Sequence, residues 1–303
     1  MDARLPFVDA HVHLWDLSRI HYPWLAPPFS SDGPNGSVAA IARNYLLDDY
    51  LADACGWDVR GIVHVDAGAD ASAALDETAW LQGLADAQAM PNAIVAFAAL
   101  DDPAVEPLLE RHAAHPNVRG IRHIVNWHQE PKRSYSARDV TRDAAWGRGF
   151  GLLARYGLSF DLQCYPRQMP ALAPLLARNP DVQVIVNHMG MPIPTDADGL
   201  ADWRTGLVAL AALPQVSIKI SGMGFAYRPW SLTQVEPLVL ETIDIFGTDR
   251  CMFASDFPTD KLFGGFDQHL DAYALIVASF SDAERRALFG RNANRIYRLS
   301  LDL

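Results

Sequence analysis

The sequence has few cysteines and fewer basic than acidic residues. Its three cysteines, Cys55, Cys164 and Cys251, are widely separated. This spacing excludes a disulfide framework and a four-cysteine zinc site and favours reduced thiols. The chain has 25 Lys and Arg against 36 Asp and Glu, a formal net charge of −11. Because no basic run offsets this charge, nucleic acids and anionic membrane surfaces are not expected as partners.

Long apolar runs are also absent. No stretch approaches the roughly 20 apolar residues that a transmembrane helix needs. The opening stretch, "MDARLPFVDA", leads directly into an apolar strand and has no secretory-signal pattern. We therefore expect a cytoplasmic protein with a small-molecule substrate. The content of 50% hydrophobic and 20% charged residues is typical of a globular domain with a large core.

Short apolar runs rich in β-branched residues recur along the whole chain, and segments with helical character separate them. Such alternation predicts parallel strands with crossover helices. The main rival, a doubly wound sheet, is disfavoured because no Gly-rich phosphate loop follows the first strand. We therefore predict that residues 1–303 form a single (β/α)8 TIM barrel. The runs are "PFVDAHVH" and residues 60–67, 93–100, 118–125, 158–165, 182–188, 216–222 and 251–257.

The segment 14–44 is too long and too rich in Pro, Gly and aromatic residues for an ordinary connection. It follows the first strand, so it is predicted to lie over the mouth of the barrel, where this fold builds its active sites. We call it the long first loop. It is predicted to act as a lid that carries Tyr22 and Trp24, the alternative being a surface insertion without function.

A pair of histidines lies near the end of the first predicted strand, in "FVDAHVHLWD". Alternate residues of a strand share a face, so Asp9, His11 and His13 are predicted to point the same way. A single histidine in an apolar strand is usually a satisfied core residue. Two histidines beside a carboxylate, at the C-terminal end of a barrel strand, favour a functional site. They could be metal ligands or catalytic groups that act without a metal.

Polar residues also end several of the later strands. Buried ionisable groups are costly without partners or purpose, so their convergence favours a site at the mouth. Arg122 and His123 cannot both point inward, because neighbouring residues of a strand face opposite ways. The residues at the strand ends are His11, His13, Arg122, His123, Asp161, Gln163, Tyr165, Asn187, His188, Lys219, Ser221 and Asp256.

The motifs "DAHVH", "NHMG", "KISG", "ASDFP" and "GRNANRIYRL" together resemble the amidohydrolase superfamily over essentially the whole chain. In its metal-dependent members, the paired histidines and the last-strand Asp are joined by a Lys or Glu on the fourth strand and a His on the fifth. This chain has "GIRHIV" and "FDLQCY" at those places, so a two-metal centre is not expected. "HYPWL", "GIRH" and "CYPRQMP" are similar to the lactonase branch, which includes sugar-lactone and pyrone-dicarboxylate lactonases.

The resemblance implies a hydrolase that opens a small lactone with water. Asp256 is predicted to be the general base, and His11, His13 and His188 to stabilise the oxyanion. No cofactor is expected to be required, although the same four residues could hold a single zinc ion. A zinc-dependent decarboxylase or amide hydrolase, and an inactive barrel that binds a metabolite, are the alternatives. The predicted substrate contacts are Arg122, His123, Tyr165, Lys219, Trp24 and Gln163.

A sugar-acid lactone is the preferred substrate, and an anionic pyrone or muconolactone is the alternative. Trp24, Trp127, Tyr165 and Tyr227 are predicted to offer a flat surface to one face of the ring. An anionic substrate needs cations at the mouth, and Arg167, Arg228 and Lys261 are the candidates. If these three residues are only solvated surface charges, the neutral sugar lactone is favoured.

Overall fold

The barrel is formed by parallel strands in sequential order. The computed structural model describes residues 5–303. Within that range eight strands form one sheet in the order β1 to β8, and a parallel bridge between Val12 and Phe257 joins the last strand to the first. The predicted (β/α)8 barrel is confirmed. The strands are β1 Phe7–Val12, β2 Val59–Val65, β3 Ala93–Phe97, β4 Val118–Arg122, β5 Ser159–Leu162, β6 Val184–Val186, β7 Val216–Ile220 and β8 Cys251–Phe253.

Helices cover the outside of the barrel and pack on the outward side chains of the strands. Trp146 and Phe150, one turn apart on α4, contact Phe160 of β5 with ring centroids 5.6 and 5.5 Å away. Among the described residues, no helix is both long and apolar enough to span a bilayer. The α-helices are α1 Leu47–Asp53, α2 Ala74–Gln88, α3 Val105–Ala113, α4 Ala144–Leu152, α5 Met169–Ala177, α6 Gly199–Ala211, α7 Met223–Ala226, α8 Leu232–Phe246, α9 Phe266–Ile276, α10 Asp282–Arg286 and α11 Asn292–Ile296.

A buried ion pair lies inside the barrel, below the mouth. The Lys219 ammonium on β7 donates to the Asp161 carboxylate on β5 at 2.5 Å, and both side chains are fully buried. The Tyr297 hydroxyl donates to the same carboxylate at 2.9 Å. Burial lowers the pKa of Lys219, while Asp161 opposes that shift. Since an unpaired charge would be costly here, each of the two charges depends on the other.

An irregularity in β1 decides which of its polar residues reach the mouth. Asp9 pairs with Ile62 and Val12 pairs with His64, so β1 carries an extra residue relative to β2 in this interval. Such a bulge reverses the alternation of side chains. Asp9 points away from the mouth and accepts hydrogen bonds from the Tyr50 hydroxyl and the Ser255 N–H, each at 2.9 Å. The prediction that Asp9 shares a face with His11 and His13 is therefore wrong.

We expect Asp161→Ala to lower the free energy of unfolding by about 3–5 kcal/mol, because it leaves the Lys219 charge buried without its partner. The double variant Asp161→Leu/Lys219→Met removes both charges and should recover most of that loss. Urea unfolding followed by circular dichroism measures both. A loss below about 1 kcal/mol in the single variant would show that the pair is not a structural requirement.

Candidate active site

A cavity of about 500 Å³ opens at the C-terminal ends of the strands. Its floor is polar and its walls come from the loops that follow the strands, including the long first loop. This is where a (β/α)8 enzyme carries its active site. The floor residues are His13, Arg122, Gln163, His188 and Asp256.

The carboxylate of Asp256 lies between histidines from two other strands. Its Oδ1 is 3.4 Å from His11 Nε2 and 3.3 Å from His13 Nε2, and its Oδ2 is 4.0 Å from His188 Nδ1. The backbone at His188 and Asp256 is left-handed, with φ of 54° and 58°, a conformation that His and Asp adopt more readily than bulkier residues. The structure thus brings together the four residues predicted to be catalytic.

The hydrogen bonds of His13 define its proton positions. Its Nδ1 is 2.8 Å from the Val65 carbonyl oxygen, which can only accept, so Nδ1 carries a proton. In the neutral ring the lone pair is then on Nε2 and faces Asp256 Oδ1. Two acceptors face each other, and the contact needs either a second proton on the ring or a cation.

His11 has the opposite arrangement. Its Nδ1 lies 3.3 Å from Lys219 Nζ, and an ammonium can only donate, so the lone pair is on Nδ1 and the proton on Nε2. His11 can therefore donate to Asp256. Burial and the Lys219 cation hold the pKa of His11 well below its ordinary value, which keeps the ring neutral.

His188 is placed to donate into the cavity. The Ser221 hydroxyl lies 3.0 Å from its Nδ1. A hydroxyl can donate or accept, and when it donates to Nδ1 the proton of the neutral ring is on Nε2. Burial lowers the pKa of His188 to about 4, although the nearby Asp256 opposes this shift. The ring is thus a neutral hydrogen-bond donor near pH 7.

Asp256 remains ionised despite complete burial. Burial by itself raises its pKa, but the positive charge that His188 acquires in acid, the contact with His13 and the Arg122 cation outweigh that effect. The net result is a pKa below the ordinary value. Asp256 is therefore a carboxylate at neutral pH, the form that accepts a proton.

The residues around Asp256 also fit a single metal ion. One ligand atom each from His11, His13 and Asp256 lies within 4.8 Å of the others. Among the described residues, His11 Nε2 and both carboxylate oxygens of Asp256 have no hydrogen-bond partner. Two histidines and a carboxylate are common zinc ligands. His13 already has the tautomer that a ligand requires, whereas His11 has it only if Lys219 stops donating to its Nδ1.

Arg122 is fixed beside this group by its neighbours on both sides. Its Nε donates to Asp66 Oδ2 at 2.5 Å and its Nη1 to Gln163 Oε1 at 3.2 Å. His123 points the other way, where its Nδ1 accepts from the Leu100 N–H at 3.2 Å. Arg122 therefore lines the cavity, and the predicted contact between His123 and substrate is not supported by its position.

The other predicted substrate contacts are divided between the cavity and its surroundings. Trp24 and Gln163 line it. Lys219 lies beneath the floor with Asp161 and His11. Tyr165 lines a separate cavity of about 160 Å³ together with Trp127, and its hydroxyl donates to the Arg133 carbonyl at 2.6 Å. Lys219 and Tyr165 are therefore not positioned to touch a ligand in the main cavity.

The three loop cations considered for an anionic substrate already have partners. Arg167 donates to Asp202 at 2.5 Å and Lys261 to Asp53 at 2.6 Å. The Arg228 guanidinium stacks 4.8 Å from the centre of the Phe263 ring and donates to the Gly224 carbonyl at 2.9 Å. Among the described residues, Arg122 is the only Arg or Lys that lines the cavity.

Comparison with known proteins gives the family. The Amidohydrolase family profile matches residues 8–299. The chain belongs to the amidohydrolase family. The predicted superfamily is thus confirmed, and the predicted lactonase branch and enzyme class, a carboxylic-ester hydrolase, agree with the lactonase relatives.

Individual relatives cover almost the whole chain. An uncharacterized protein of Sinorhizobium fredii, y4mH, is 42% identical over 97% of this chain and 99% of its own length. An L-fucono-1,5-lactonase of Burkholderia multivorans is 30% identical over 96% of both chains. The crystal structure of an amidohydrolase from Burkholderia multivorans with bound zinc superposes with a TM-score of 0.79, at 30% identity, over 97% of this chain and 99% of that one.

Asp66 is a residue of this amidohydrolase site that the sequence reading missed. It follows β2 and, besides the bond to Arg122 Nε, its backbone carbonyl accepts from Arg122 Nη2. Asp66 directly follows an apolar run, so the strand-end rule that identifies the other site residues also identifies it.

The orientation of β4 is tested by a pair of variants. Arg122→Met should lower kcat/KM by about 10²–10³, the range for losing one donor to the reacting oxygen. His123→Ala should leave kcat/KM within about threefold but destabilise the fold by about 1–3 kcal/mol, because the buried Leu100 N–H loses its acceptor. Steady-state kinetics and urea unfolding on the same preparations separate the two effects. The reverse pattern would mean that His123 is the residue facing the substrate.

Proposed function

We propose that this amidohydrolase hydrolyses a small neutral lactone, most suitably a sugar-acid 1,5-lactone, and so acts in carbohydrate metabolism. The observation that carries the proposal is the Asp256 carboxylate, buried at the floor of an open cavity within 3.3–4.0 Å of three histidines and beside the donors His188 and Arg122. That combination suits the attack of water on an ester carbonyl. The lactonases among the relatives, including the one from Burkholderia multivorans, support the choice of ester.

Asp256 is the general base in this proposal. A water molecule placed between its carboxylate and the lactone carbonyl gives up a proton to Asp256 as its oxygen bonds to the carbonyl carbon. The tetrahedral intermediate then breaks its bond to the ring oxygen. The same proton passes from Asp256 to that oxygen, so the acid and the alcohol of the opened ring leave with all protons accounted for.

Two donors at the floor are suited to stabilise the negative oxygen of the intermediate. His188 can offer its Nε2–H, and Arg122 can offer the guanidinium that Asp66 and Gln163 hold in place. Preorganised donors of this kind are effective because they need no rearrangement when charge develops. His11 and His13 contact Asp256 and hold its orientation.

We further propose that this reaction requires no metal. A zinc ion held by His11, His13 and Asp256 would supply Lewis-acid activation of water or of the carbonyl. The contact between Lys219 and His11 supports the metal-free reaction, because it favours the tautomer in which the Nε2–H of His11 faces Asp256 Oδ1, 3.4 Å away. Arg122 supports it too, since Asp66 and Gln163 already hold its guanidinium in place at the floor as a hydrogen-bond donor.

The paired loop cations support a neutral substrate. A dicarboxylate would need cations free to meet it, and Arg167, Lys261 and Arg228 are engaged with protein groups. Arg122 is bound to Asp66, so its charge is largely compensated. The hydroxyl groups of a sugar lactone need hydrogen-bond partners instead of free charges, and Gln163 can offer its amide N–H groups at the floor while its Oε1 accepts from Arg122.

The base is tested by Asp256→Asn. The amide has nearly the same shape but cannot take the proton, so kcat should fall by about 10²–10⁴ while the protein stays folded. Hydrolysis of L-fucono-1,5-lactone followed with a pH indicator gives the rate, and circular dichroism checks the fold. A variant that keeps more than a tenth of the wild-type kcat would exclude Asp256 as the base.

The charge of the substrate is tested by parallel assays of a neutral aldono-1,5-lactone and a carboxylated muconolactone. The neutral lactone should have the higher kcat/KM, and its value should change little between low and high salt because no charge attraction is involved. Faster hydrolysis of the muconolactone, falling as salt rises, would favour the anionic alternative. Hydrolysis of neither would show that the protein is not a lactonase.

A further inference from the structure

The outer wall of the cavity differs in chemistry from its floor. Above the polar groups, the long first loop contributes Trp24, Pro28, Phe29 and Val38, and the short helix α7, which follows β7, contributes Phe225. The Phe225 ring lies 5.1 Å from the ring of His188, centre to centre. The apolar surface therefore begins directly beside the proposed reaction centre and extends toward the opening.

The apolar wall is held in place by polar contacts at its back. The Tyr135 hydroxyl donates to Asn35 Oδ1 at 2.6 Å, and the Arg228 guanidinium donates to the Pro34 carbonyl at 2.5 Å. Lys132 donates to Asp32 at 2.8 Å. These contacts join the long first loop to the loops after β4 and β7. The wall is thus shaped before any ligand arrives, which lowers the entropic cost of binding against it.

Packing within the fold does not explain the position of the Phe29 side chain. Its side chain is 38% exposed although it is a large apolar residue, and it borders the cavity. Exposed apolar residues grouped around a concave site mark ligand-binding surfaces more often than isolated ones do. A cavity of about 500 Å³ also falls in the range of roughly 300–1,000 Å³ that holds drug-sized ligands, larger than a single sugar ring.

We propose that the preferred substrate is a lactone with an apolar substituent, an alkyl or aryl group, on the alcohol side of the ester, at the ring carbon that the ring oxygen joins to the carbonyl. The inference rests on the proposed lactonase function and deepens it. With the carbonyl at Asp256 and His188, a substituent on this carbon can extend toward the opening. The substituent then lies between Phe29 and Trp24 on one side and Phe225 on the other.

The test compares two 1,5-lactones with the same ring hydroxyl groups. One carries a methyl group on the carbon that bears the ring oxygen, as L-fucono-1,5-lactone does, and the other carries a butyl group there. Each buried methylene is worth a factor of about four in binding. The butyl group adds three methylenes, which would give a factor of about 60 if all three were fully buried. We expect partial burial, so that kcat/KM of the wild-type enzyme is at least about tenfold higher for the butyl lactone than for the methyl lactone.

Two variants connect this preference with the wall. Phe29→Ala should reduce the butyl-to-methyl ratio of kcat/KM to about threefold or less, because it removes one side of the apolar cleft. Leu275→Ala is the matched control, since Leu275 is 64% exposed on α9 and does not border the cavity. The control should keep the wild-type ratio.

The outcomes separate the inference from the function on which it rests. Hydrolysis of both lactones with a ratio near one overturns the apolar subsite and leaves the lactonase function standing. A wild-type preference that survives Phe29→Ala unchanged overturns the assignment of the preference to this wall. Hydrolysis of neither lactone, nor of any other sugar lactone, overturns both proposals.

Discussion

A carboxylate buried without enough hydrogen bonds must be compensated by neighbouring charge or protons, and this constraint governs the centre of the barrel. Asp256 is almost fully buried, and histidines from β1 and from the end of β6 converge on it. The negative charge of Asp256 is compensated by these histidines, each of which can gain or lose one proton. The site can therefore keep the carboxylate ionised without closing it off from the cavity. This is the state that a general base needs before substrate binds.

Charged residues in the interior of the barrel determine which nitrogen of His11 carries the proton beside Asp256. Asp161 keeps Lys219 in place and charged, and Lys219 in turn faces His11 Nδ1. The bulge in β1 turns His11 toward this lysine while Asp9 turns toward α1. A feature of the strand and an ion pair below the floor thus define the tautomer of a histidine at the reaction centre. The same residues serve the stability of the fold and the chemistry of the site.

The sequence was sufficient to predict the barrel, because alternating strands and helices depend on local patterns that eight repeats make hard to mistake. It also located the histidines and Asp256, since strand ends meet at one face of this fold. The orientation of Asp9 could not be predicted, because a bulge is set by pairing with the next strand and leaves no local mark. The alternation of side chains along β4 allowed either Arg122 or His123 to face the cavity, and only the structure of β4 decides between them.

The loop residues were the least predictable. Arg167 and Lys261 resemble free surface cations in the sequence, and their partners Asp202 and Asp53 are distant along the chain. The aromatic surface was expected partly from Trp127 and Tyr165, which border a different cavity. Phe29 and Phe225 take that place, because the path of the long first loop depends on contacts such as that between Asn35 and Tyr135.

Protons and fixed protein charges, without a metal, activate Asp256 in the proposed reaction. This metal-free activation is tested most directly by measuring kcat for a neutral lactone as a function of zinc content, from chelator-treated protein to protein loaded with one zinc per chain, with the metal counted by mass spectrometry. We predict that kcat of the depleted protein stays close to that of the loaded protein. A kcat that rises in proportion to zinc occupancy from near zero would contradict it.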